Sequence, residues 1–176
     1  GAIGSTDPLD SLTINGPGSI AMDAGTVTTT GNQTYSGPVL LSLDTTMTGA
    51  TITFGSTLDG DPLVAGTESL TISGNAVFSD LVGATEALEF LNVSGTSSVA
   101  ADVSTALDQD YGGAVTLTGD ATLSGDNVDF ASTVDGGQNL TVTAVVDATF
   151  GDAVGSGTQL ASLAATAGSN INIGGN

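Results

Sequence analysis

An eleven-residue pattern occurs three times along the chain. Ala2-Ile-Gly-Ser-Thr-Asp-Pro-Leu-Asp-Ser-Leu12 returns as Leu81-Val-Gly-Ala-Thr-Glu-Ala-Leu-Glu-Phe-Leu91 and again as Ala153-Val-Gly-Ser-Gly-Thr-Gln-Leu-Ala-Ser-Leu163. Leu9, Leu88 and Leu160 align, at offsets of 79 and 72. A second block, Thr51-Ile-Thr-Phe-Gly-Ser-Thr-Leu-Asp-Gly60, returns as Asn127-Val-Asp-Phe-Ala-Ser-Thr-Val-Asp-Gly136 at offset 76, and Gln33 and Tyr35 return as Gln109 and Tyr111 at the same offset. The chain therefore reads as one unit over residues 1–80, a second over 81–151 and the start of a third over 152–176. Self-similarity of this kind belongs to arrays in which each repeat buries its apolar face against its neighbours, so one continuous solenoid is expected.

A finer beat runs inside each unit. Strand-like starts fall near Ser11, Thr26, Ala50, Ser69, Phe90, Val103, Asp126, Asn139 and Ser162, a mean spacing of about 19 residues, so four steps would make one unit. Several steps open on an alternating run: Leu12-Thr-Ile14, Leu70-Thr-Ile72, Leu91-Asn-Val93 and Leu140-Thr-Val142. Leu and Ile or Val would face one side and Thr or Asn the other, at the two-residue period of a strand. Asn15-Gly16, Gly74-Asn75 and Asp135-Gly136-Gly137 punctuate the turns. The expected fold is all-β, a right-handed parallel β-helix with coils of about 19 residues. The alternative is a tandem of antiparallel β-sandwich modules, whose short strands also recur at regular spacing.

Composition removes most site chemistry. The 176 residues contain no Lys, Arg, His, Cys or Trp, while 19 acidic residues give a formal charge of −19. With no cation to meet phosphates, nucleic acid is not an expected partner. With no His or Cys there is no histidine-based triad, thiol nucleophile or usual zinc site. Only carboxylate, hydroxyl, amide and backbone chemistry is left, and the chain is not expected to be an enzyme. Hydrophobic residues make up 39% but aromatics only 4%, so the core must come from Val, Leu, Ile, Ala and a few Phe. Phe54 with Phe130 and Phe78 with Phe150 fall at equivalent repeat positions, which reads as core stacking. No apolar run approaches the roughly 18 residues of a membrane-spanning helix.

Asp-rich turns carry the remaining candidates. Asp59 with Asp61, Asp108 with Asp110, and the set Asp120, Asp126 and Asp129 are the densest groups. Asp44 aligns with Asp120 and Asp59 with Asp135, so acids recur at matching positions of successive units. Calcium takes six to eight oxygen ligands from carboxylates, amides and carbonyls, which makes Asp59, Asp61, Asp108, Asp110, Asp120, Asp126, Asp129 and Asp135 the calcium candidates. The competing reading is that Asp simply suits turns. A carboxylate pair for glycoside hydrolysis lacks the aromatic and cationic helpers such sites use, with only Tyr35 and Tyr111 at hand beyond the Phe residues.

The chain also resembles the repeat regions of giant secreted bacterial adhesins of the filamentous-haemagglutinin type. The resemblance is carried by Thr26-Val-Thr-Thr-Thr-Gly-Asn-Gln-Thr-Tyr-Ser-Gly37, Thr46-Met-Thr-Gly-Ala-Thr-Ile-Thr-Phe-Gly-Ser-Thr57 and Thr133-Val-Asp-Gly-Gly-Gln-Asn-Leu-Thr-Val-Thr143. It implies a right-handed parallel β-helix fibre, exported and displayed on a cell surface or released into a matrix, that builds fibres or adheres. Such regions usually carry some Lys and Arg, and this stretch carries none. The expected partners are further repeats or a second copy stacked end to end, with host or matrix carbohydrate as the alternative, because neither Gly1 nor Ile171-Asn-Ile-Gly-Gly-Asn176 supplies a capping segment.

Overall fold

The computed structural model describes residues 1–63 and 66–174. These residues form 21 strands and no helix. All the strand pairs are parallel. That excludes the antiparallel sandwich and establishes a parallel β-solenoid. The last two positions of the third unit, Gly175 and Asn176, lie outside the described residues.

Each coil visits three faces in turn. The first face stacks nine strand segments, from Ala2–Ile3 and Thr26–Thr28 through the leading halves of Thr45–Phe54 and Leu70–Phe78. It continues through Leu91–Val93, Gln109–Tyr111, Val128–Phe130 and Asp147–Phe150 to Asn170–Ile173. The second face runs from Leu12–Ile14 and Gln33–Tyr35, through the trailing halves of the two long strands, to Ser97–Val99, Val115–Leu117 and Val134–Asp135. The third joins Ile20–Met22, Val39–Leu41 and Leu58–Gly60. Single bridges at Val82 link it to Val103–Ser104, Ala121–Gly125, Asn139–Ala144 and Ser162–Ala167.

Alternation explains why these short strands hold. In Gln33–Tyr35, Val128–Phe130 and Leu91–Val93 the outer two residues are buried and the middle one is not. Inward residues of successive coils stack on one another at the strand spacing, so like sits on like. Tyr35, Phe54 and Phe78 form one stack on the second face, with ring centroids 5.6 and 5.7 Å apart. Tyr111, Phe130 and Phe150 form another on the first face, at 5.4 and 5.1 Å. All six rings are buried, and offset-stacked pairs of this kind add about 0.5–1.5 kcal/mol each beyond the area they bury.

The repeat does not divide into whole coils. From Gln33 on the second face to Gln109 on the first, the chain makes three complete coils and passes two further faces. Each unit is therefore turned by one face relative to the unit before it. Leu12, Leu91 and Leu163, which align in sequence, lie on the second, first and third faces. The spacing of in-register positions is also uneven: on the first face Val27, Met47, Ile72, Val93, Tyr111 and Phe130 are successive neighbours, 18 to 25 residues apart. The mean step along this face is about 21 residues, close to the beat of about 19, but the starts of that beat belong to different faces. Thr26 opens a strand of the first, Ser69 precedes another of the first, Ser11 precedes one of the second, and Asn139 and Ser162 open strands of the third.

Candidate functional site

Four of the eight candidate carboxylates, Asp59, Asp108, Asp120 and Asp135, accept main-chain N–H groups one coil away. Asp59 Oδ1 accepts Thr85 N–H at 2.9 Å, and its aligned partner Asp135 accepts Gly157 and Thr158 N–H at 2.7 and 3.2 Å. Thr85 and Gly157 hold the same position in the second and third copies of the eleven-residue pattern, so the two acids do one job twice. Asp120 accepts both the N–H and the side-chain amide of Asn139, at 2.8 and 3.0 Å, as its partner Asp44 accepts Ser69 N–H at 2.9 Å. The Asn139 bonds hold the exposed Asp120 carboxyl below the usual carboxylate range. Asp61 caps its own turn through Leu63 N–H at 2.9 Å.

A polar ladder climbs the corner before the first face. Asp108 Oδ1 accepts the N–H and side-chain amide of Asn127 at 3.2 and 2.8 Å. Asn127 Oδ1 accepts Asp147 N–H at 3.1 Å, and Asp147 in turn accepts both amides of Asn170 at 2.8 and 2.9 Å. Acid and amide alternate, so carboxylates in this column are never on adjacent coils. That arrangement lets a chain without cations stack Asp on a single corner while keeping like charges apart.

Asp108, Asp110 and Asp129 are the candidates that the fold brings together. Asp110 and Asp129 are register partners pointing outward on the first face, and Asp126 lies half-buried at the turn before them. Partial burial, then the charges of Asp129 and Asp108, push the Asp110 carboxyl above its usual range, against a smaller opposing bond from Asn92. A carboxyl whose folded pKa is raised weakens the fold as pH rises from the unfolded value through the folded one. Asp110→Asn is therefore expected to raise the melting midpoint at pH 7, an advantage that vanishes once pH falls below the ordinary Asp range near 4; melts across pH 3–7 check it. Asp59, Asp120 and Asp135 do not join this group. Among the described residues no three acidic side chains are placed to hold a metal ion.

The repeated Gln and Tyr prove to be a buried polar node. Gln33 Nε2 donates to Val27 O, Thr29 Oγ1 and Thr48 O, while its Oε1 accepts Tyr35 O–H at 2.9 Å. Gln109 repeats the pattern with Val103 O at 3.1 Å, Ser124 O at 2.8 Å and Tyr111 O–H at 3.0 Å. Both Gln side chains are fully buried. Each bonds strands of two successive coils around a corner, and the two nodes sit on different faces. The sequence signal was the shared offset of Thr29, Gln33 and Tyr35 with Thr105, Gln109 and Tyr111.

Concave surface is modest. A cavity of about 290 Å³ opens at the first coil, lined mainly by apolar groups such as Ile3, Leu12, Ile14, Met22 and Tyr35. A second, of about 340 Å³ on the outside of the third face, holds one carboxylate, Asp102, whose Oδ1 accepts Thr122 N–H. Compared with protein-family models, with curated proteins and with solved structures, the chain matches none.

Proposed function

We propose that the chain is a structural, non-catalytic repeat segment of an acidic extracellular fibre or surface adhesin, whose coils continue end to end. The observation that carries this reading is the apolar character of both ends of the solenoid. The cavity at the first coil exposes core-type side chains, Ile3 among them at 36% exposure, and Leu9 outside it is 39% exposed. At the other end Leu163, Ile171 and Ile173 are 40%, 44% and 76% exposed, although their register partners Leu140, Ala148 and Phe150 are buried. A terminal coil also presents a row of unpaired N–H and C=O groups, a template for one more parallel strand. Further coils of a parent chain or a second copy would meet both needs, and the resemblance to secreted adhesin repeats supports display outside the cell.

A second reading, uptake of calcium or carbohydrate by Asp-rich turns, is favoured by Asp110 and Asp129 standing as register partners on one face with Asp108 beside them. Light scattering over a concentration series tests the first reading. Growth into elongated particles, suppressed by Ile173→Asp, is the expected result. A segment that stays monomeric at every concentration would overturn it.

A further inference from the structure

Glu68 is a carboxylate in the interior of a chain that has no cationic side chain to pair with it. The residue is 2% exposed; Thr67 Oγ1 donates to its Oε1 at 3.1 Å, while Oε2 is buried without a hydrogen-bond partner. Oε2 points at the inner side of Gly60, where Leu41 supplies the side chain one coil earlier. A Cβ added at Gly60 would stand 3.0 Å from Glu68 Oε2, 3.3 Å from Ala87 O and 3.6 Å from Glu86 O. Three oxygens thus surround the space that the absent Gly60 side chain leaves. The carbonyl of Glu86 already accepts Gly60 N–H at 3.0 Å and keeps a second lone pair. All three glutamates of the chain, Glu68, Glu86 and Glu89, gather at this corner, with Glu89 N–H donating to Glu68 O at 2.8 Å.

A buried carboxylate has to be paired, protonated or bound to a metal. Pairing is closed here because the sequence contains no Lys, Arg or His. We propose that the Glu68 carboxylate, with the carbonyl oxygens of Ala87 and Glu86, holds a hard divalent cation of the calcium type in front of Gly60. Calcium accepts carboxylate and carbonyl oxygens together, at about 2.3–2.6 Å, in flexible geometry. The ion would stand farther from the Gly60 Cα than a methyl group does, drawing the three oxygens inward and taking water for the rest. Two of these ligands are main-chain atoms, which leave no motif in the sequence. The inference does not depend on the proposed fibre role, which concerns the ends of the solenoid.

Thermal melts with calcium chloride or a chelator, in moderate salt to suppress diffuse binding to the −19 chain, test it. The unmodified protein should gain several degrees at saturating calcium. Glu68→Gln, which keeps the side-chain shape, and Gly60→Ala, which fills the cradle, should both lose that gain, while Asp7→Asn, at an exposed acid outside the candidate groups, keeps it. Terbium luminescence on the unmodified chain supplies a readout that needs no variant: one saturable ion that has shed part of its water shell is expected. An equal calcium response in Glu68→Gln, or only fully hydrated terbium, would overturn the site in favour of diffuse binding. No calcium response in the unmodified protein would likewise overturn it.

Discussion

Gly83→Ala should cost about 4 kcal/mol or more, while Gly155→Ala, at the aligned position of the next copy, should cost only about 1–3 kcal/mol. Both glycines have left-handed backbones, with φ of 66° and 74°, so an alanine is strained at either one. The difference lies in the space beside them. A Cβ at Gly83 would fall 2.1 Å from Ser104 O, a main-chain atom of the next coil that cannot move without breaking the third face. A Cβ at Gly155 meets nothing nearer than 3.3 Å. Denaturant melts of the two variants, read as a shift in midpoint at constant slope, separate strain alone from strain plus overlap. Equal losses would mean that the coils do not approach one another as described.

Gln109→Ala should lose about 3–5 kcal/mol, the sum of a cavity in a closed interior and a stranded hydroxyl. Removing the amide leaves Tyr111 O–H buried without its acceptor and takes a donor from Val103 O and Ser124 O. Tyr111→Phe alone should cost about 1–3 kcal/mol, since it leaves the buried Gln109 Oε1 without its donor. The double variant should be more stable than the sum of the two losses implies, and that coupling is the signature of one node. Simple additivity would show that Gln109 and Tyr111 act separately.

Much of this architecture is legible in the residues. Alternation in Leu12-Thr-Ile14 and Leu91-Asn-Val93 gives strands, and the aligned phenylalanines enter two ring stacks, Phe54 on Phe78 and Phe130 on Phe150. The third residue of each eleven-residue copy is Gly4, Gly83 or Gly155, and all three adopt the left-handed conformation that makes the motif a turn. The one-face rotation between units is not legible. Repeat offsets count residues, whereas faces are set by corner lengths, and a corner of the copied pattern is longer than an ordinary one. Val82 to Leu91 turns from the third face to the first, a corner that Ser104 to Gln109 crosses in fewer residues. The acids were legible as turn residues but not by partner: Asp59 and Asp135 recur because each receives the N–H of a copied turn. The burial of Glu68 left no signal at all, because the absent side chain of Gly60 and main-chain oxygens create its pocket.

The uneven winding is the claim on which the faces, the nodes and the ends all rest. It is tested most directly by paired nitroxide labels on outward positions of the second face, introduced through cysteines into a chain that has none. Thr53 and Val77 are register partners, as are Ser98 and Thr116, although the first pair is 24 residues apart and the second 18. Both pairs should show strong spin–spin broadening, since each stands one strand spacing apart, about 4.8 Å. A Thr53–Val77 spectrum equal to the sum of its single-label spectra would contradict the account.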